Sequence, residues 1–485
     1  MKRTSLISLV SAFVIFFVTS VQAEIKLPAI VSSNMVLQRN TTIQIWGWSD
    51  AKENISIETS WINGPLNVKA DNEGNWRLEI KTTNSKEPQI ITIKGKNSDI
   101  TLENILFGEV WLCSGQSNMQ MPLKGYSGQP TFGSALAIAN STNPNLRLFS
   151  VDRMGSKIPL KDVKKYTAWE QASPDNVAGF SAVAYYFGQQ LQEILDVPVG
   201  LIHTSWGGSS VQAWLSMEEM SKYQKVDLKD VDINKTPNRT PTALFNSMIK
   251  PLIPYTLKGA LWYQGETNRK DPENYKILFP AMVKDWRTRW GIGDFPFYYV
   301  QIAPYLYDGD NDVFQTSENS AFIRETQLQC LDLIPNSGIA ITMDIGEEHS
   351  IHPAKKKEVA DRLLFNALDQ TYGYKTIDGA GPIYESQEQK DGGLVLKFKN
   401  TKYGLYAFNG LTGFEIAGED RVFYSADAKI VDSEKVFVKN DKVVNPVAVR
   451  YAWRNWIIGT LFNTDILPLS SFRTDSWDNA TQGKN

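Results

Sequence analysis

Polar and β-branched apolar residues alternate in short runs from residue 24 to about residue 105: TTIQIWGW, NISIETSW, NWRLEI and QIITIKG, parted by Asn, Asp and Gly. Alternation places every second side chain on one face of a strand, and turn residues at such short intervals predict a small β-sandwich. The rhythm changes at NILFGEVWLCSGQSN, where strand-like apolar runs begin to alternate with helical periodicity. FSAVAYYFGQQLQEIL reads as a helix with Ser181 at its N-cap, followed by the strand PVGLIHTSW. LKGALWYQGE and FPFYYVQIAP are further strands, SAFIRETQLQCLDLI is a helix and SGIAITMDIG a strand. HPAKKKEVADRLLFNALDQTYG follows, with Pro353 placed for the first turn of a helix. Strand–helix alternation over residues 106–374 implies a mostly parallel α/β sheet, with a polar, irregular excursion at about 223–241. Over 375–485 β-type runs return (GLVLKFKN, VFVKNDKVV, AVRYAW), which makes the fold class an α/β unit between two β-rich regions.

Composition narrows this picture without redirecting it. The 485 residues exceed one ordinary domain, and 42% hydrophobic with 21% charged residues are globular values. A net charge of −3 shows no basic excess, so nucleic acid is not the partner to expect. Fourteen tryptophans and nineteen tyrosines suit sheet packing, with some free to stack on sugar rings. At the start, Lys2 and Arg3 precede an apolar stretch to Val18, and Val-Gln-Ala precedes a cut after Ala23. Residues 1–23 therefore predict a signal peptide and export to the periplasm or beyond the cell. No other segment is apolar enough to span a bilayer. Cys113 and Cys330 both lie in apolar segments, either as one disulfide or as two buried thiols. With three histidines and no Cys/His cluster at ligand spacing, no metal site is expected.

In open α/β sheets functional groups collect just past the carboxyl ends of the strands. Four such places hold unusual polar residues. Gly115-Gln116-Ser117-Asn118 permits a tight turn that exposes a serine hydroxyl, though the G-x-S-x-G elbow is absent. Gly207-Gly208 is either a structural turn or a backbone N–H presented to an oxyanion. After LWY, Gln264 offers an amide to the same oxyanion, and Glu266 is a catalytic acid or a structural anchor. The fourth is TMDIGEEHSIHP, which holds His349 and His352. Serine catalysis needs a base near neutral pKa, and only His203, His349 and His352 exist. His203 lies within a strand and His349 in a polar loop. His352 is restrained by Pro353 beside it.

Together GQSNMQMPL (115–123), SWGGSSVQAW (205–214), LFNSMIKPL with GALWYQGETN (244–268) and DIGEEHSIHP (344–353) resemble the sialate O-acetylesterase family of carbohydrate esterases, within the SGNH-hydrolase superfamily. The tail over 449–477 is similar to that family's C-terminal segment. The resemblance implies a three-layer α/β/α esterase domain with β-rich accessory regions. It implies Ser117 as nucleophile, His352 as general base, and an oxyanion hole from Ser117 N–H, Gly207 or Gly208 N–H and the Gln264 amide. The substrate would be an acetylated carbohydrate, foremost a 9-O-acetylated sialic acid, cleaved through an acetyl-enzyme that calls for no cofactor.

The chain departs from the superfamily at the acid that orients the histidine. Many members carry Asp three residues before it, where this chain has His349; many sialate esterases carry it two before, at Ser350 here. Asp344, Glu347 and Glu348 are the candidate acids, and a backbone carbonyl would leave an acid-free dyad. Two other functions fit parts of the chain. A deacetylase of acetylxylan or another polysaccharide would share the serine chemistry. A non-catalytic glycan-binding protein would use the β-rich regions and tryptophans but leaves the four motifs unexplained.

Overall fold

The computed structural model describes residues 24–307, 319–477 and 480–483; the expected signal segment, 1–23, lies outside the described residues. In the N-terminal part, β1 (Val36–Gln38), β2 (Thr42–Trp48), β3 (Asn54–Thr59), β4 (Ile62–Lys69), β5 (Asn75–Lys81) and β6 (Gln89–Lys94) are short, whereas β7 (Asp99–Gly115) runs for 17 residues. β2 pairs antiparallel with β5, β3 lies between β4 and β6, and β6 pairs with the first part of β7. The second part of β7 is the centre of another set of strands. Its burial changes accordingly, from mostly exposed positions at the start to eleven consecutive buried ones at the end. A strand covered on both faces must read as a continuous apolar run rather than an alternating one. The expected boundary at 105/106 therefore falls inside a single strand.

Around β7 are β8 (Asn143–Val151), β9 (Tyr166–Ala172), β10 (Val199–Ser205), β11 (Gly259–Tyr263), β12 (Phe297–Val300) and β13 (Ser337–Ala340), in the order β13-β12-β11-β7-β10-β8-β9. The pairings from β13 to β8 are parallel, but β9 joins β8 antiparallel and β6 joins β7 antiparallel. The mostly parallel sheet expected from the alternation is thus a mixed one. The helices are α1 (Ser117–Gln120), α2 (Ser134–Ala139), α3 (Pro174–Val177), α4 (Ala182–Leu195), α5 (Met217–Met220), α6 (Pro272–Trp290), α7 (Ala321–Leu333) and α8 (Lys356–Asn366). Ser181 caps α4, its Oγ accepting from Ala184 N at 3.1 Å. Trp111, Cys113, Leu201 and Leu261 share a core with α4 and α8. Their neighbours Val110, Leu112, Ile202 and Trp262 share one with α6 and α7. Cys113 and Cys330 fall in these two different cores, and both are free, buried thiols.

From β7 the chain builds β8–β10 on one side and then β11–β13 on the other. That reversal opens a crevice past the end of β7, between β10 and β11. Beyond α8, β-strands return, including an antiparallel set of Ile383–Lys390, Gly393–Lys399, Lys435–Lys439 and Asp427–Asp432. Among the described residues no helix is long and apolar enough to cross a membrane.

Candidate active site

β7 ends at Gly115, whose φ is +137° and where a Cβ would stand 2.2 Å from Tyr263 O of β11. Only glycine allows that approach and that conformation together. The turn it makes leaves Ser117 partly exposed at the start of α1, between the buried Gln116 and Asn118. His352 arrives from the loop after β13. Its Nε2 lies 2.8 Å from Ser117 Oγ and its Nδ1 lies 2.7 Å from Gln129 Oε1. An amide oxygen only accepts, so Nδ1 carries the imidazole proton and Nε2 turns its lone pair to the serine hydroxyl. Burial, followed by the nearby Lys356 cation, pulls His352 down to about 4, which keeps the ring neutral at pH 7. Tyr126 closes the side: its OH donates to Ser117 O at 3.2 Å and its ring meets His352 edge-on at 5.4 Å.

The three carboxylates considered for orienting His352 are engaged elsewhere. Asp344 accepts two bonds from Arg362, at 2.8 and 2.7 Å. Glu347 Oε1 accepts from Ala354 N at 2.6 Å, and Glu348 lies 3.8 Å from the exposed ring of His349. The partner of Nδ1 is the neutral Gln129, from a loop 223 residues away in sequence. Gln129 was not among the residues singled out from sequence, because in YSGQP it resembles any turn glutamine. His203 sits on β10 with Nε2 2.6 Å from Ser205 Oγ, and burial pulls it down to about 4. His349 is far more exposed than either, its side chain 80% accessible.

Of the expected oxyanion donors, two are open and two are occupied. Among the described residues no protein group accepts from Ser117 N–H or from Gly208 N–H. Gly207 approaches Ser117 so closely that a Cβ on it would lie 3.2 Å from Ser117 Cβ, but its N–H donates to Gln120 Oε1 at 2.8 Å. Gln264 is fully buried, and its Nε2 donates to Ser209 O at 3.0 Å and to Asn268 Oδ1 at 2.8 Å. Both amide protons are therefore spent on holding the loops after β10 and β11 together. Glu266, considered as an acid or an anchor, accepts from Asn118 Nδ2 at 2.6 Å and is buried.

A cavity of about 520 Å³ reaches the serine–histidine pair through Tyr126, which lines it together with Gln120, Arg153, Lys165, His203 and Ser205, with Asp152 also on its wall. The Arg153 guanidinium stands 6.0 Å over the Trp206 ring. Among the described residues neither Arg153 nor Lys165 forms an ion pair. The volume lies within the range of small-ligand sites, and its two cations favour a negatively charged occupant. Among the described residues no cluster of three or more His, Cys, Asp or Glu is placed to hold a metal ion.

Residues 108–363 match a family model described as carbohydrate esterase, sialic acid-specific acetylesterase. Human sialate O-acetylesterase is 28% identical over 468 residues, covering 88% of this chain and 87% of that protein. The mouse sialate O-acetylesterase is 27% identical over 422 residues, covering 75% and 76%. The crystal structure of a carbohydrate acetylesterase from Xanthomonas citri superposes with a TM-score of 0.85 at 33% identity, covering 94% of this chain and all of the other.

Proposed function

The chain belongs to the carbohydrate esterase family of sialic acid-specific acetylesterases, and from that premise we propose that it deacetylates sugars by serine catalysis, with 9-O-acetylated sialic acid as its substrate. The reading is supported above all by the 2.8 Å contact between Ser117 Oγ and a His352 whose tautomer Gln129 sets. His352 takes the Ser117 proton as Oγ attacks the acetyl carbonyl. The Ser117 and Gly208 N–H groups receive the oxyanion, each contributing about 3 kcal/mol of barrier lowering. Collapse releases the sugar hydroxyl, protonated by His352, and water then hydrolyses the acetyl-enzyme by the same route. The sialate assignment draws on the carboxylate of that sugar, which suits Arg153 and Lys165 in the adjoining cavity. In this reading the central mixed sheet with its helices is the three-layer SGNH unit over 106–374. The regions 24–105 and 375–485 are its β-rich accessories, and 1–23 directs export.

Acetate release from 9-O-acetyl sialic acid, acetylated xylan and p-nitrophenyl acetate tests each part. Ser117→Ala is expected to lose at least about 10³-fold in kcat on all three. Arg153→Gln is expected to raise KM for the acidic sugar about tenfold and to leave p-nitrophenyl acetate unchanged. Turnover surviving Ser117→Ala would sink the serine mechanism, while faster release from xylan would reassign the sugar. Glycan binding without hydrolysis by the parent would make the protein a lectin.

A further inference from the structure

Asn118, next to the nucleophile, is fully buried and makes three side-chain hydrogen bonds. Its Oδ1 accepts from Lys356 Nζ at 2.5 Å; its Nδ2 donates to Glu266 Oε1 at 2.6 Å and to Ile351 O at 3.0 Å. Three strand ends meet there: the turn after β7, the loop after β11, and the loop between β13 and α8. The Ile351 carbonyl belongs to the peptide that leads directly into His352. Lys356 and Glu266 are buried as well, 1% and 8% exposed. Burial pulls the Lys356 ammonium down to about 7 and pushes the Glu266 carboxyl up, and the proximity of the two opposes both shifts.

An amide held between a cation and an anion has one orientation. Reversing it would set N–H₂ against the ammonium and oxygen against the carboxylate. Lys356 on one side and Glu266 on the other thus lock Asn118, and the lock aims its second N–H at Ile351 O. We propose that Asn118 is the positioning residue that holds the His352 loop against Ser117, with Lys356 and Glu266 fixing its orientation. This inference rests on the serine–histidine reading above. Nothing in the reaction uses these three groups directly, yet Asn118 lies one residue from the nucleophile and bonds the peptide that leads into the base. A displacement of about 1 Å between reacting groups costs about 10²-fold in rate, so a device that sets their separation acts on kcat.

Asn118→Asp separates positioning from simple structural support. It keeps an oxygen for Lys356 but turns both donations into acceptor–acceptor contacts with Glu266 Oε1 and Ile351 O. Adding Glu266→Gln restores the charge balance and supplies a donor facing position 118, yet leaves Ile351 O without its bond. Both variants are expected to lose about 10²-fold in kcat on p-nitrophenyl acetate, with KM within about twofold of the parent. The melting temperature should fall in the single variant and recover in the double. Recovery of kcat together with stability in the double variant, or parental kcat in either, overturns the proposal. If the single variant does not fold, the double decides alone. Ser117→Ala is the control: activity that survives it indicts the serine–histidine reading, whereas activity lost there but kept in the Asn118 variants indicts the positioning role.

Discussion

Behind His352, the proposed base, stands an amide where serine hydrolases usually place a carboxylate. Gln129 Oε1 fixes the tautomer of His352 but lends no negative charge to an imidazolium. With burial and the Lys356 cation also opposing protonation, His352 rests at about 4. Gln129→Glu would set an anion against Nδ1 and so favour the charged ring. The acid limb of kcat/KM is expected to move up by at least about one pH unit, read from a pH–rate profile. A limb that stays in place would remove Gln129 from the orienting role. Ser117 and His352 could be picked from sequence because histidine is scarce and because the strand-end motifs resemble a family that implies a nucleophile and a base at those positions. Gln129 could not, since chemistry-based reasoning looks for a carboxylate and no sequence spacing ties 129 to 352.

At the scale of elements, the loop between β13 and α8 explains why its acids mislead. Two of its three carboxylates pin it, Asp344 to Arg362 and Glu347 to Ala354 N–H, while Glu348 faces the exposed His349. Asp344 bonds Arg362 of α8 with side chains 16% and 7% exposed, so it ties the start of the loop to the helix that ends it. Asp344→Ala leaves the buried guanidinium unpaired, and a loss of about 3 kcal/mol is expected in denaturant unfolding. The acid limb of the pH–rate profile should remain where it is, which an orienting acid could not allow. The helix also begins later than Pro353 suggests, at Lys356. Glu347 captures Ala354 N–H and Lys356 N donates to Ala354 O, so the residues after Pro353 belong to the loop's own bonding. Long periodic elements such as α4 were legible together with their caps. Loop conformation was not, because it is decided by partners distant in sequence.

Across the whole molecule, the β-rich regions are joined to the central unit around β7 by shared strands and buried bonds. β7 belongs to both the N-terminal sheet and the central one. On the other side, Arg324 of α7 is fully buried and donates to Ser471 Oγ and to the carbonyls of Ala452 and Arg454. Stability is therefore expected to respond to pH as a property of one folded assembly. His203 and His352 both sit at about 4 when folded, against about 6.5 in an unfolded chain. Between those values the unfolded state binds protons that the native state refuses, so these groups lower stability as pH falls from about 6.5 to about 4. The melting temperature should drop across that window, and drop less in His203→Gln; an equal drop would show that His203 is not held neutral by burial.

By itself the sequence determined the order of β-rich, α/β and β-rich regions, the strand ends that carry polar residues, and the short set of histidines from which a base there could come. Those follow from periodicity and from the scarcity of histidine, which are local or countable properties. Only the tertiary structure decided that β7 spans two sheets, that Gln129 serves His352, that Gln264 spends its amide on neighbouring loops, and that the nearby acids are structural. Each of these depends on which groups become neighbours after folding. Hydrogen-bond capacity belongs to the residue, but the partner that uses it is set by the packing of strands and loops from the rest of the chain.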